Sequence, residues 1–177
     1  LLVFDFLVGE CGMNPKNIIC CGRSIGTGPA TYVAAKRNPG GLILISPIRS
    51  IQQAASSLLG PFKFLLKDRF DNYERIKEVT CPALIIHGQK DTLIPFQQSI
   101  ELAERTSGPY ELVLPENMTH NEIQVYEDFL EPITNFLKKF NLMNHYDGEF
   151  QVDTQYIEYN DYIVIYIQIY VKMYIKT

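Results

Sequence analysis

Three side chains in this sequence have the types and spacing for acyl-transfer chemistry: Ser24, Asp91 and His120. A serine hydroxyl is a weak nucleophile at neutral pH until a neighbouring base takes its proton. Ser24 lies in Gly22-Arg23-Ser24-Ile25-Gly26, a G-x-S-x-G pattern. An apolar run, Asn17 to Cys21, precedes it, and a helical pattern, Pro29 to Arg37, follows. Strand, sharp turn and helix are the context that lifts a serine above a sheet edge. The turn has no room for bulk at its flanks, which Gly22, Gly26 and Gly28 provide. The helix start would direct its dipole at charge developing near Ser24, and the Ile25 N–H is the expected first oxyanion donor. The plainer alternative is a glycine-rich turn with an incidental serine.

Three histidines compete for the role of base. His87 ends an apolar strand pattern before Gly88 and reads as structural. His145 lies beyond the last helical pattern. His120 sits in the loop P-E-N-M-T-H-N-E, after a fourth strand pattern and before the last helix. Loops leaving the C-terminal ends of parallel strands are where such sheets place their sites. The base in turn needs a carboxylate to hold its tautomer. Asp91 follows the third strand by the short turn H-G-Q-K-D, at the same sheet edge, and gives the chain order Ser, Asp, His. Asp68 and Asp71 fall in the 48–75 connection, away from any strand end. The alternatives are a surface or capping role for His120, and for Asp91 a helix cap ahead of Pro95.

The elements needed to position these residues are legible as an alternation. Residues 1–13 read as the end of a helix, closed by Gly12 and a turn at Asn14-Pro15. Strands are expected at Asn17–Cys21, Leu42–Ile45, Ala83–His87 and Tyr110–Leu114. Helices are expected at Pro29–Arg37, Ile51–Leu59, Pro95–Arg105 and Glu122–Phe140, the last broken or kinked at Pro132. Short uncharged strands alternating with helices predict an α/β fold: a parallel sheet of about four strands flanked by helices. Residues 1–142 make up that domain. Residues 143–177 are a separate Tyr/Ile-rich stretch, too short in its apolar run to span a bilayer as a helix, and either strand-forming or loosely attached.

Composition sets the outer limits. The 177 residues are 46% hydrophobic and 20% charged, with net charge −4. That describes a globular domain with a real core, and no basic block points to a nucleic-acid partner. The four cysteines form no C-x-x-C pair, so no metal site is expected, and no cofactor. Cys20 and Cys21 read as buried thiols, which suits a reducing, cytoplasmic compartment. Leu1 to Val8 has no signal-peptide character. The stretch Leu58 to Leu66 (L-L-G-P-F-K-F-L-L) reads either as core packing or as an acyl groove and peripheral membrane contact.

The segments N-I-I-C-C-G-R-S-I-G-T-G, P-A-L-I-I-H-G-Q-K-D-T-L-I-P and T-H-N-E resemble the α/β-hydrolase superfamily, in particular its domain-17 group of protein depalmitoylases and close relatives. The resemblance covers residues 1–142 and implies the C-terminal portion of that fold. By this match Ser24 is the nucleophile, Asp91 the acid and His120 the base of a serine hydrolase. Its implied substrates are acyl esters or thioesters, among them palmitoylated proteins. The alternatives are a catalytically silent binding protein of the same fold and a serine peptidase. Two departures stand out. Relatives carry Gly before the histidine and Asn-Asp after it, where this chain has Thr119 and Asn121-Glu122. The family also places about four strands and a helix ahead of the elbow, with a His-Gly loop giving a second oxyanion donor, and none of these residues is in the sequence. Loss of one such donor costs about 10²–10³ in kcat. The sequence on its own is therefore expected to be poorly soluble and nearly inactive, with any membrane-associating segment lying upstream of Leu1.

Overall fold

The computed structural model describes residues 1–54 and 70–142. The readings made above for residues 55–69, including all of Leu58–Leu66 and Asp68, and for 143–177, including His145, lie outside the described residues.

Among the described residues, four strands form one parallel sheet in the order β1-β2-β3-β4. They are β1 (Ile19–Arg23), β2 (Gly41–Ile45), β3 (Ala83–Ile86) and β4 (Tyr110–Val113). The helices are α1 (Leu2–Gly9), α2 (Thr27–Arg37), α3 (Ile51–Ala54), α4 (Asn72–Arg75), α5 (Gln97–Arg105) and α6 (Glu131–Lys139). Strand order equals chain order, so each crossover advances by one position. The register aligns Arg23, Ile45, Ile86 and Val113 across the sheet. The C-terminal ends of all four strands therefore meet on one edge.

β2 and β3 are buried along their whole length, because parallel strands inside such a sheet are covered on both faces. Alternate side chains serve the two faces. Cys20, Leu42, Leu44, Ala83 and Ile85 pack with Phe4 and Leu7 of α1, with α2, and with Leu102 and Ala103 of α5. Ile43, Ile45, Leu84 and Ile86 pack on the other side with Met118 and with Phe136 of α6. Four apolar residues in a row are thus two half-faces, not one continuous buried side.

The expected boundaries shift at several points. Asn17 belongs to a 3₁₀ turn, Pro15–Asn17, and β1 runs on through Gly22 and Arg23 to the serine itself. α2 starts at Thr27, two residues before Pro29, because a 3₁₀ turn at Ser24–Gly26 feeds directly into it. β3 stops at Ile86, although the His87 N–H still reaches the Val113 carbonyl at 3.0 Å. The last helix is not a single element from Glu122. A π turn, Val125–Leu130, precedes α6, and Pro132 sits in the first turn of α6 instead of kinking it. Proline lacks the N–H that an α-helix needs in its interior but loses nothing at the start.

Candidate active site

Ser24 occupies the strand-to-helix corner with φ 50°, a left-handed conformation that β-carbon crowding disfavours. Two features hold it there. A side chain at Gly22 would place its Cβ 2.4 Å from the Gly26 carbonyl oxygen, so the elbow closes only with glycine at that position. The fully buried Thr27 hydroxyl donates to the Ser24 carbonyl at 2.5 Å. That hydroxyl oxygen accepts in turn from the Asn72 amide at 3.3 Å and the Ile48 N–H at 3.4 Å. Asn72, also fully buried, donates to the Ile48 carbonyl at 2.9 Å. Gly26 has φ −64°, an ordinary right-handed conformation, and its carbonyl is what a side chain at Gly22 would strike. Ile25 opens the turn beside Ser24, where the first N–H groups of a helical start have no partner within it.

Asp91 and His120 are brought together by two loops that run alongside one another. The Gln89 N–H donates to the Pro115 carbonyl at 3.0 Å and the Lys90 N–H to the Met118 carbonyl at 3.2 Å. The Gln89 side chain reaches the Leu114 carbonyl at 2.8 Å, and Lys90 reaches Asn117 at 2.8 Å. Met118 is buried beneath the loop. A Cβ on Gly88 would stand 2.1 Å from the Met118 carbonyl oxygen, so glycine is what permits the close approach. His120 Nδ1 then lies 2.7 Å from Asp91 Oδ2. The departure at Thr119 has a local role. The Thr119 hydroxyl accepts from the Glu122 N–H at 2.9 Å, and the Thr119 N–H donates to the Glu122 carbonyl at 3.1 Å, closing a turn around His120.

Burial works against the Asp91 carboxylate, but hydrogen bonds from His120, His87 and the Ile94 N–H outweigh it and hold the group well below the usual carboxylate range. Oδ1 accepts from the Leu93 and Ile94 N–H groups at 2.9 and 2.8 Å. The capping alternative for Asp91 is not what the structure shows: α5 has Phe96 as its N-cap with no side-chain cap, and Asp91 Oδ1 instead organises the non-helical turn at Leu93 and Ile94 while Oδ2 faces His120. Asp71 is committed elsewhere, accepting from the Glu74 N–H at the start of α4.

The elbow and the histidine loop are joined by Arg23. Its guanidinium donates to the His120 carbonyl and, at 3.3 Å, to Asn121 Oδ1. Among the described residues no hydrogen bond links the Ser24 hydroxyl to the His120 ring. Catalytic contacts are often loose without substrate and tighten when it binds. Sequence reasoning singled out Ser24, Ile25, Asp91 and His120. It passed over Arg23, Thr27 and Asn72, and placed His87 as structural without a partner. Only the position of Arg23 inside the motif hinted at a role. The same described residues contain no group of three or more His, Cys, Asp or Glu side chains placed to hold a metal ion. None of their helices is long and apolar enough to cross a membrane.

No protein-family model matches the chain. It is 35% identical over 128 residues to α/β hydrolase domain-containing protein 17B of Homo sapiens, covering 72% of this chain and 44% of that protein. It is also 35% identical over 127 residues to α/β hydrolase domain-containing protein 17C of Xenopus tropicalis, covering 71% and 40%. The chain thus spans less than half the length of these relatives. Among solved structures, an acetyl xylan esterase from Paenibacillus sp. R4 superposes with TM-score 0.61 at 16% identity, covering 78% of this chain and 50% of that one. A sugar hydrolase from Lactococcus lactis superposes with TM-score 0.61 at 22% identity, covering 80% and 67%. The parallel sheet and its structural neighbours show that the chain has the α/β-hydrolase fold, and its sequence is similar to the domain-17 group of α/β-hydrolase domain-containing proteins.

Proposed function

We propose that this chain carries the reacting groups of a serine hydrolase that cleaves acyl esters or thioesters. The observation that carries the reading is the His120–Asp91 bond. Nδ1 gives its hydrogen to a buried carboxylate at 2.7 Å, which leaves Nε2 as the ring's proton acceptor. Nε2 takes the Ser24 proton as the hydroxyl oxygen attacks the acyl carbon. Asp91 holds the tautomer and stabilises the imidazolium that results. The carbonyl oxygen gains negative charge, and the Ile25 N–H is the donor that stabilises it. His120 returns the proton to the departing alcohol or thiol, leaving an acyl-serine. Water, activated by the same ring, then releases the acid.

The resemblance to the domain-17 group favours a fatty acyl thioester on a protein cysteine as the finer substrate, met at a membrane surface from the cytoplasmic side. The test compares hydrolysis of a long-chain acyl thioester with that of a peptide amide by the whole protein. The expected result is thioester turnover that disappears in Ser24→Ala. Faster cleavage of the amide would favour a peptidase instead. Folded protein inert to both would favour a binding role.

A further inference from the structure

The Asp91 carboxylate has a second histidine behind it. His87 and Ser99 are completely buried. His87 Nε2 lies 3.2 Å from Asp91 Oδ2 and 2.9 Å from the Ile94 carbonyl oxygen. His87 Nδ1 lies 2.6 Å from Ser99 Oγ, on α5. Proton accounting assigns the direction of every bond in this chain. A carbonyl oxygen and an ionised carboxylate only accept, so Nε2 carries a hydrogen and shares it between Ile94 and Asp91. A neutral ring then has a lone pair at Nδ1, which the Ser99 hydroxyl fills by donating. The opposite direction would require an imidazolium sealed from water, a costly burial of charge.

We propose that Ser99 and His87 are positioning residues: Ser99 fixes the tautomer of His87, and His87 fixes the Asp91 carboxylate for His120. The proposal rests on Asp91 serving as the acid of the triad. The line Ser99–His87–Asp91–His120 runs from the interior to the sheet edge. Neither added residue touches substrate, and both act through Asp91. The two ionisable groups bonded to Asp91 among the described residues are His120 and His87, and both meet the same oxygen, Oδ2. The buried N–H therefore draws off part of the negative charge that His120 feels. Without it, the carboxylate favours the imidazolium of His120 more strongly.

Histidine ring nitrogens followed by NMR through a pH titration of the whole protein read this without any need for turnover. In the unaltered chain, His87 is expected with its hydrogen on Nε2. In His87→Leu, the His120 midpoint is expected to rise by about one pH unit, the scale on which single neighbours act. His87→Gln offers two amide hydrogens for Ile94 and Asp91, and should bring the midpoint back towards its original value. Ser99→Ala should move it in the same direction as His87→Leu, and combining the two should add nothing further. Should His87→Leu fail to fold, Ser99→Ala and His87→Gln carry the comparison. A hydrogen on His87 Nδ1, or a His120 midpoint indifferent to these changes, overturns the proposal. Asp91→Asn separates it from the triad reading. If that change lowers the His120 midpoint while the His87 and Ser99 changes do nothing, only the positioning pair fails. If Asp91→Asn also leaves the midpoint alone, the triad reading fails with it.

Discussion

Ser24 is held at φ 50°, a conformation that costs a non-glycine residue about 1–3 kcal/mol. The cost is offset by a glycine contact and by the buried Thr27–Asn72 pair beneath its carbonyl. Arg23 makes the matching connection above, since its guanidinium binds the backbone of His120 and the side chain of Asn121. A planar, permanently charged donor suits this double contact better than a lysine ammonium. Arg23→Ala is expected to lower kcat/KM of the whole protein about tenfold, the effect of losing one charge-assisted bond discounted for solvent exposure. Arg23→Lys should recover part of the loss. Steady-state kinetics of both variants check this, and an alanine variant with unchanged kcat/KM would remove Arg23 from the account. Ser24 was legible because its motif is local: five consecutive residues between a strand and a helix. Arg23 was not, because its partner lies 97 residues further along the chain. The link between Asn72 and Thr27, 45 residues apart, was hidden for the same reason.

At the scale of elements, Asp91 and His120 meet because the loops after β3 and β4 pair backbone to backbone, with Gly88 pressed against Met118. A methyl group at Gly88 meets a carbonyl oxygen, not a flexible side-chain tip. Gly88→Ala should therefore destabilise the fold by about 1–3 kcal/mol, the usual range for overpacking. It should also push the His120 loop away from Asp91. Urea unfolding measures the first effect and the His120 titration the second. An alanine variant as stable as the parent, with the same titration, would mean that the two loops are not locked together. The strands could be found from sequence because they are short and mostly apolar, β2 and β3 entirely so. Asp91 and His120 could be found because each follows such a strand by a short loop. Element ends were less legible. The chain enters α2 through a 3₁₀ turn and α6 through a π turn, and both change the hydrogen-bond spacing without changing the apolar pattern. His87 looked like the last residue of a strand. Its role depends on Ser99, which comes from the far side of the following loop.

For the molecule as a whole, the site and the stability are linked through Asp91. Its carboxyl titrates below its ordinary value of 3.8 in the folded state, burial being outweighed by the bonds from His120, His87 and Ile94. A depressed folded value adds stability that is fully present above the unfolded value and is lost as pH falls through the acid range towards the folded one. Asp5, Glu74 and Glu78 are held low by hydrogen bonds from Arg37, Lys77 and Lys36 and act in the same direction, but they lie at the exposed surface and are screened by solvent. Urea midpoints measured from pH 6 to pH 2 should fall less steeply for Asp91→Asn than for the parent; parallel curves would show that Asp91 is not a paired, buried anion. The thiols follow the architecture too. Burial pushes Cys20 up to about 12 and Cys21 and Cys81 up to about 11, so the cysteines in and beside the sheet are poor nucleophiles. The nucleophile proposed at the sheet edge is instead Ser24, with His120 as its base. The direct measurement of that claim is labelling of the whole protein with a fluorophosphonate probe, followed by peptide mapping. One phosphonate on Ser24, absent from Ser24→Ala and strongly slowed in His120→Ala, is the expected result. Folded protein that stays unlabelled, or that carries the label on another residue, would contradict it.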